Sequence, residues 1–293
     1  MSTAPRLALA TYLADPDLSA DDARLIPALS AQGIAALAVP WNQPGFDWRT
    51  VDGVLLRSTW DYVEHYEAFL AWLAALPVPV FNAPETVRWN SDKRYLLQLA
   101  ATDADVVATE ITCARELPAR LATRRGELVV VKPAISASAR DTLRGTAGDA
   151  AFTAQLPGLP SARHYLIQPF VPEIETHGEW SLVFIDGEYS HAVLKRPARG
   201  DFRVQPAHGG TVQAAEPSNT LSAAARAARA VLDGLSALGH PMPLYARVDG
   251  IEIGGRFTLM ELELIEPALH WHADEQAPGR LARAAAARLS SAR

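Results

Sequence analysis

A single cysteine, Cys113, stands among the 293 residues. That excludes an internal disulfide and any thiolate metal cluster, and it fits a reducing compartment such as the cytoplasm. No apolar run approaches the ~20 residues that a membrane-crossing helix needs, so no membrane partner is expected. The opening stretch, MSTAPRLALATYLADPD, has its apolar run broken by Asp15, Pro16 and Asp17, which reads as a first strand and not as a signal peptide. Positive charge is also scarce, 27 Lys and Arg against 33 Asp and Glu for a formal net charge of −6. Such a balance lacks the basic face that a phosphate backbone demands, and nucleic acid is not an expected partner. No G-x-S-x-G elbow supports Ser/His nucleophilic chemistry, and no repeat of fixed period is present.

What is present is apolar residue in quantity, 49% of the chain, enough for two or three cores. Residues 6–12, 34–40 and 51–56 read as buried strands. Residues 19–33 read as a helix with an acidic first turn and a Gly33 stop, and 64–76 as a second helix. This alternation is an open α/β layer, and such layers bind ligands beyond the carboxyl ends of their strands. Arg57, Ser58, Thr59 and Trp60 fall there, followed by Asp61 and Tyr62. Either they face a substrate, or Trp60 and Tyr62 pack under the following helix while Arg57 and Asp61 pair locally. A change of pattern near residue 88 marks a domain boundary, with the chain beyond it richer in β-structure.

Beyond residue 88, Asn90 or Ser91 can cap a helix whose first turn carries Lys93. The strand GELVVVKP ends in Lys132 and Pro133, and a small-residue loop, AISASARDTLRG, follows. Its lysine either snorkels to water or meets a phosphate. YLIQPFV reads as a strand and WSLVFIDGEYSHAVLK as a hairpin turning at Asp186 and Gly187. Lys195, Arg196, Arg199 and Arg203 then crowd a Gly-rich loop, either solvated or facing an anion. After an alanine-rich helix at 218–239 comes YARVDGIEIGGRFTLMELELIEP. Alternation places Tyr245, Arg247 and Asp249 on one face of a strand that ends at Asp249. Gly254 and Gly255 turn the chain, and Leu259, Glu261 and Glu263 point one way on the returning strand. Asp249, Glu261 and Glu263 are hard oxygen donors converging on a magnesium site, unless they are simply solvated. His270 and His272 read as substrate contacts or packing before zinc ligands. Cys113 reads as a small buried residue, and the last segment, from 277 onward, as a structural helix.

Lys93, Lys132, the IQPFV strand, the GDFR loop and the acidic hairpin occur in an order that resembles the ATP-grasp superfamily over residues 88–267. RPARGDFRVQPAHGG is similar to the arginine-rich loop of bacterial glutathione synthetases, and GEWS, SHAVLKRP and GDFRVQ are closer to the cycloserine synthetase-like branch. The resemblance implies an α/β (α+β) ATP-grasp fold: a Rossmann-like pre-ATP-grasp domain at 1–88, a lid subdomain at 89–172 and a metal-bearing subdomain at 173–293. It implies ATP, with Lys93 and Lys132 on its phosphates, Gln168, Phe170 and Val171 around adenine, and Glu179 near the ribose. Asp249, Glu261 and Glu263 would hold one or two Mg2+, with Mn2+ able to substitute. Arg247 and Arg203 would meet the transferred phosphoryl group and Lys195 the nucleotide or a substrate carboxylate. Four departures stand out: Glu263 where the superfamily has asparagine, ISASA in place of a glycine-rich loop, Trp180 and Ser181 in place of a Lys-Arg pair, and IEPALHWH in place of small residues. The last two fall where substrate is read and point away from glutathione; the resemblance implies ligation or ring closure of a small amino-acid-like substrate through an acylphosphate. A non-catalytic nucleotide-binding module and a small-molecule kinase remain open, as does self-association.

Overall fold

The computed structural model describes residues 4–137 and 139–291. Ser138 of the expected phosphate loop and the extreme ends of the first and last segments lie outside the described residues. The first layer is a parallel sheet in the order β2-β1-β3-β4, built from β1 (Arg6–Thr11), β2 (Ala35–Pro40), β3 (Gly53–Leu56) and β4 (Val80–Phe81). Alternation in β1 serves two cores. Leu7 and Leu9 face Leu25 and Leu29, while Ala8 and Ala10 face Phe69, Leu70 and Leu73. The helix expected over 19–33 is only Leu25–Ser30, preceded by a tight 3-10 turn at Asp22–Arg24. Pro27 fits there because a first helical turn leaves its N–H groups unbonded in any case. The second helix, Tyr66–Ala75, lies within the range expected.

The second sheet is antiparallel in the order β5-β8-β6-β7, from β5 (Glu110–Cys113), β6 (Leu128–Pro133), β7 (Leu143–Thr146) and β8 (His164–Pro169). Cys113 is half-buried there, not buried as expected, because β5 is an edge strand. The third sheet is antiparallel in the order β11-β10-β9-β12-β13, from β9 (Glu179–Ile185), β10 (Glu188–Arg196), β11 (Thr211–Ala214), β12 (Tyr245–Ile253) and β13 (Arg256–Glu263). Its two tight turns have positive φ at both central residues, 52° and 80° at Asp186 and Gly187, and 57° and 78° at Gly254 and Gly255. That backbone twist matches the twist of paired strands. Helix Asn219–Ala237, capped by Ser218 Oγ accepting from the Leu221 N–H at 3.0 Å, covers one face of this sheet.

Two expectations about the β12–β13 hairpin are corrected. Asp249 does not end its strand, which runs on to Ile253. Nor does Leu259 share a face with Glu261 and Glu263. Asp249 is opposite Glu261, but the adjacent Gly250 is opposite Leu259, so Met260 is an extra residue in a β-bulge. The bulge turns Leu259 into the core with Leu262 and Leu264, and leaves Met260 on the cavity side with the two acids. Gly250 makes this possible, since a Cβ there would lie 2.3 Å from Phe257 Cζ.

The layers are joined by buried polar side chains. Asn82, 1% exposed, donates to the carbonyls of Tyr245 (2.9 Å) and Leu264 (2.8 Å) and accepts from the Leu244 N–H (2.6 Å). Helix Ala277–Ser291 returns from the end of the chain to pack Leu281, Ala285 and Leu289 against Leu7, Leu9 and Leu55 of the first sheet. No helix among the described residues is long and apolar enough to cross a membrane.

Candidate active site

A cavity of about 360 Å3 lies between the second and third sheets, with the loop after β3 at its rim. Its floor is set by strand register. Lys195 pairs with Glu179 across β9 and β10, Asp249 with Ser181 across β9 and β12, and Arg247 with Glu263 across β12 and β13. Directly opposed residues bring side chains within contact distance, so a continuous charge network follows. Lys195 Nζ is 3.3 Å from Glu179 and 3.2 Å from Asp249, Arg247 bonds Asp249 at 2.9 Å and also bonds Glu263, and Ser181 Oγ donates to Asp249 at 2.5 Å.

Lys93 is not in the first turn of a long helix. It sits between helix Pro84–Asn90 and helix Tyr95–Leu99, held by its N–H donating to the Ala134 carbonyl at 2.8 Å. Asn90 and Ser91 do not cap, because Asn90 is buried and bonds the Leu262 carbonyl of β13 and the Leu264 N–H just beyond that strand. The Lys93 ammonium reaches Glu261 at 3.1 Å and the Ser136 carbonyl at 2.5 Å. Lys132 also lines the cavity, and among the described residues it makes no ion pair. Burial pushes its pKa down, and Lys93 adds to the effect while Glu261 opposes it. An anion there would relieve both.

Five acids, Glu179, Asp249, Glu261, Glu263 and Glu266, and five cations, Lys93, Lys132, Lys195, Arg203 and Arg247, line this one cavity. Burial opposes ionisation of Asp249, but Arg247 and Lys195 overcome it and hold that carboxyl far below its ordinary range. Glu261 is likewise lowered, with Lys93 and Lys132 outweighing burial. Glu263 goes the other way. Burial, with Asp249 and Glu261 nearby, pushes it up to about 7 against the pull of Arg247. Among the described residues no three acids, histidines or cysteines converge as a ready-made metal cage. Asp249 and Glu263 share Arg247, and Glu261 meets Lys93, so each of the three expected metal ligands has a cation beside it in this structure. Their chemistry still suits a hard divalent cation, because three carboxylates share one wall and the raised Glu263 marks negative charge incompletely offset.

The other end of the cavity is apolar. Phe170 lies under the Arg144 guanidinium, 4.0 Å from the ring centroid, and meets Phe202 edge-on at 6.3 Å. Val171, Ile174, Val204 and Ile251 pack beside them. Gln168 is buried, its amide donating to Thr109 Oγ1 at 2.9 Å, and Arg203 is bound to Asp201 at 2.8 Å. Planar apolar space at one end and charge at the other suit a nucleotide.

Of the rim quartet, Trp60 alone lines the cavity, together with Tyr62. Arg57, Ser58 and Thr59 are fully buried. Arg57 pairs with Asp22 at 2.8 Å and donates to the Pro267 carbonyl at 2.8 Å, while Asp61 accepts from Trp41 Nε1 at 2.7 Å. The alternative Arg57–Asp61 pair is thus also corrected. His270 lines the cavity in a left-handed backbone conformation (φ 53°), its Nε2 buried without a partner. Burial, then Arg247 and Lys195, hold its pKa down to about 2. Sequence reasoning missed Glu266, Ser181, Met260 and Arg144. Ser181 carried a signal as part of the GEWS motif, and Glu266 as an acid set between Ile265 and Pro267 directly after the acidic strand.

Comparison with known proteins agrees with this geometry. A family model described as the N-terminal domain of D-cycloserine synthetase DcsG matches residues 7–82, and one described as the prokaryotic glutathione synthetase ATP-grasp domain matches residues 95–240. The sequence is 31% identical to the cycloserine biosynthesis protein DcsG of Streptomyces lavendulae over 97% of this chain and 98% of that protein. The crystal structure of D-cycloserine synthetase DcsG is similar with a TM-score of 0.84 at 29% identity, over 97% of this chain and 99% of that one. A D-alanine–D-alanine ligase from Bacillus anthracis complexed with ATP shares the fold at a TM-score of 0.65 and 16% identity, over 98% and 99% of the two chains.

Proposed function

The chain belongs to the ATP-grasp ligase family of the cycloserine synthetase DcsG, and from that premise we propose that it activates the carboxylate of a small amino-acid-like substrate with ATP. A carboxylate oxygen attacks the γ-phosphorus and ADP leaves. An amine nitrogen of the same or a second molecule then attacks the acyl carbon, phosphate leaves, and the amine gives up a proton. Attack from within the same molecule closes a ring, the outcome that the cycloserine relatives favour. ATP is taken with Mg2+, for which Mn2+ can stand in, and the reaction belongs in the cytoplasm.

The observation that carries this reading is Lys132, a half-buried cation that among the described residues has no ion pair, in a cavity whose other lysines each meet an acid. Lys132 and Lys93 would neutralise the phosphates, and Arg247, Arg203 and Lys195 the charge that develops as the phosphoryl group moves. Asp249, Glu261 and Glu263 are the oxygens that would hold magnesium, which when bound screens the β- and γ-phosphates. Phe170, Val171 and Gln168 bound the adenine end, with Glu179 toward the ribose. Closure of the second sheet over the third would keep water from the acylphosphate.

The test is inorganic phosphate release with ATP and Mg2+ across amino acids and their O-substituted, ureido and dipeptide derivatives, with mass spectrometry of the products. ADP, phosphate and a product one water lighter are expected. A phosphate ester in place of free phosphate would make the protein a kinase, and tight ATP binding without turnover would make it a nucleotide-binding module. Lys132→Ala and Glu261→Ala should each abolish release without unfolding the chain, and normal release by both would remove this site from the reaction.

A further inference from the structure

Three segments from two sheets meet at one guanidinium beside the apolar end of the cavity. Arg144 lies on β7, the edge strand of the second sheet, directly opposite Val130 on β6, and opposed residues share a face. Val130 lines the cavity, so Arg144 projects on the cavity side of its sheet, yet it does not itself line the cavity. Its guanidinium is engaged elsewhere. It lies 4.0 Å from the Phe170 ring centroid and 5.5 Å from that of Phe202, and its Nη1 donates to Glu175 at 2.9 Å. Glu175 belongs to the short helix Glu173–Thr176 that follows β8. A planar guanidinium can stack on rings while its in-plane donors bond a carboxylate, which an ammonium cannot do.

Phe202 comes from the third sheet, in the loop that joins β10 to β11. Asp201 knits this turn into one unit. Its Oδ1 accepts from the N–H groups of Phe202 at 2.7 Å and Arg203 at 2.9 Å, and its carboxylate also takes Arg203 Nε at 3.1 Å and Nη2 at 2.8 Å. The Arg203 guanidinium therefore moves with the backbone that carries Phe202. Val204, 2% exposed, fixes one side of the turn among Val171, Ile174 and Ile251. On the other side Arg199 and Gly200 are exposed, and the ring between them and Val204 is met edge-on by Phe170 and by the Arg144 guanidinium.

We infer that Arg144 is a positioning residue for phosphoryl transfer: by holding Phe202 from the second sheet, it fixes the turn that presents Arg203 to the cavity. The contact spans two sheets, so parting them would break it, and the place of Arg203 is thereby tied to closure. A surface ion pair alone contributes little, and the Arg144–Glu175 pair is partly exposed, at 28% and 45%. The two rings give Arg144 its fixed place, since the face of an aromatic ring attracts a cation. Placement matters here because shifting a catalytic group by about 1 Å lowers a rate on the order of 100-fold. The inference rests on the ligase reading, in which Arg203 meets the transferred phosphoryl group, and adds what holds Arg203 there.

Arg144→Met keeps an extended side chain and removes the stacking charge. Parent and variant, each loaded with a non-hydrolysable ATP analogue and Mg2+, are followed by hydrogen exchange with mass spectrometry. Amides over residues 199–204, which include the two bonded to Asp201, should exchange at least tenfold faster in the variant, while β12 is unchanged. In phosphate release kcat should fall at least tenfold, with the KM for ATP within threefold of the parent. Phe202→Leu should do the same, and the double variant should lie within threefold of the poorer single, because both changes break one contact. An unaltered kcat or an unaltered exchange rate in Arg144→Met would overturn the inference. So would a loss confined to the KM for ATP, which would make Arg144 a nucleotide contact, or losses that multiply in the double variant. A parent that releases no phosphate with any substrate would instead sink the ligase reading, and the exchange rates would still decide whether Arg144 holds the turn.

Discussion

Replacing Arg57 by methionine separates a structural ion pair from a substrate contact. Arg57 is fully buried, bonds Asp22 through two nitrogens at 2.9 and 2.8 Å, bonds the Pro267 carbonyl at 2.8 Å, and lies 5.2 Å from the Tyr245 ring centroid. Methionine keeps most of the volume but leaves Asp22, 4% exposed, with its charge unanswered. Removing one member of a buried pair costs about 3–5 kcal/mol. At roughly 2 °C per kcal/mol for a chain of this length, the melting temperature should fall by about 6–10 °C. Adding Asp22→Leu to Arg57→Met should recover at least half of the loss, because an apolar pair of similar size fills the site without an orphaned charge. Circular dichroism melts of the three variants give these values directly, and nucleotide affinity measured alongside should stay unchanged. A melting temperature within about 1 °C of the parent, combined with a raised substrate KM, would refute the reasoning and return Arg57 to the substrate site.

The cavity acids make stability depend on pH. The folded state keeps protons on Glu263 up to about 7 and on Glu266 up to about 8, whereas the unfolded chain releases them near the ordinary glutamate value. The unfolded state therefore binds fewer protons in between, and stability should fall as pH rises from about 5 to 8, by on the order of 3 kcal/mol from Glu266 alone. Urea midpoints across that range should fall less steeply in Glu266→Gln, and matching slopes would contradict the assigned environment. Glu263→Asn keeps an acceptor for Arg247 while removing a charge, so phosphate release should persist within about tenfold; complete loss would show that the carboxylate itself is needed. Gly250→Ala forces a Cβ to 2.3 Å from Phe257 Cζ and 2.7 Å from the Thr258 carbonyl. Overpacking of that kind should destabilise the protein by about 1–3 kcal/mol in chemical unfolding, and an unchanged midpoint would mean that the bulge is softer than its packing implies.

Much of the molecule follows from neighbours along the chain. Asp186-Gly187 and Gly254-Gly255 could be placed as turns because few other residues tolerate positive φ twice in succession. Lys132 at the end of an apolar strand, and Arg247, Asp249, Glu261 and Glu263 at alternating positions, marked one wall of the cavity because a strand repeats every second residue. The ordered set of motifs also sufficed for the family.

Tertiary structure alone decided the rest, for reasons that lie between segments. The bulge at Met260 belongs to two strands together, and it sends Leu259 to the core against the alternation of its own strand. Arg57 chose Asp22 over the nearer Asp61 because the loop after β3 folds down onto the first helical turn. The last helix docks on the first sheet because its alanine and leucine face covers Leu7 and Leu9. Glu266 is set apart from the other cavity acids because, among the described residues, it makes no ion pair. A residue's type and spacing state which charge it brings, but which charge it meets is a property of the folded neighbourhood.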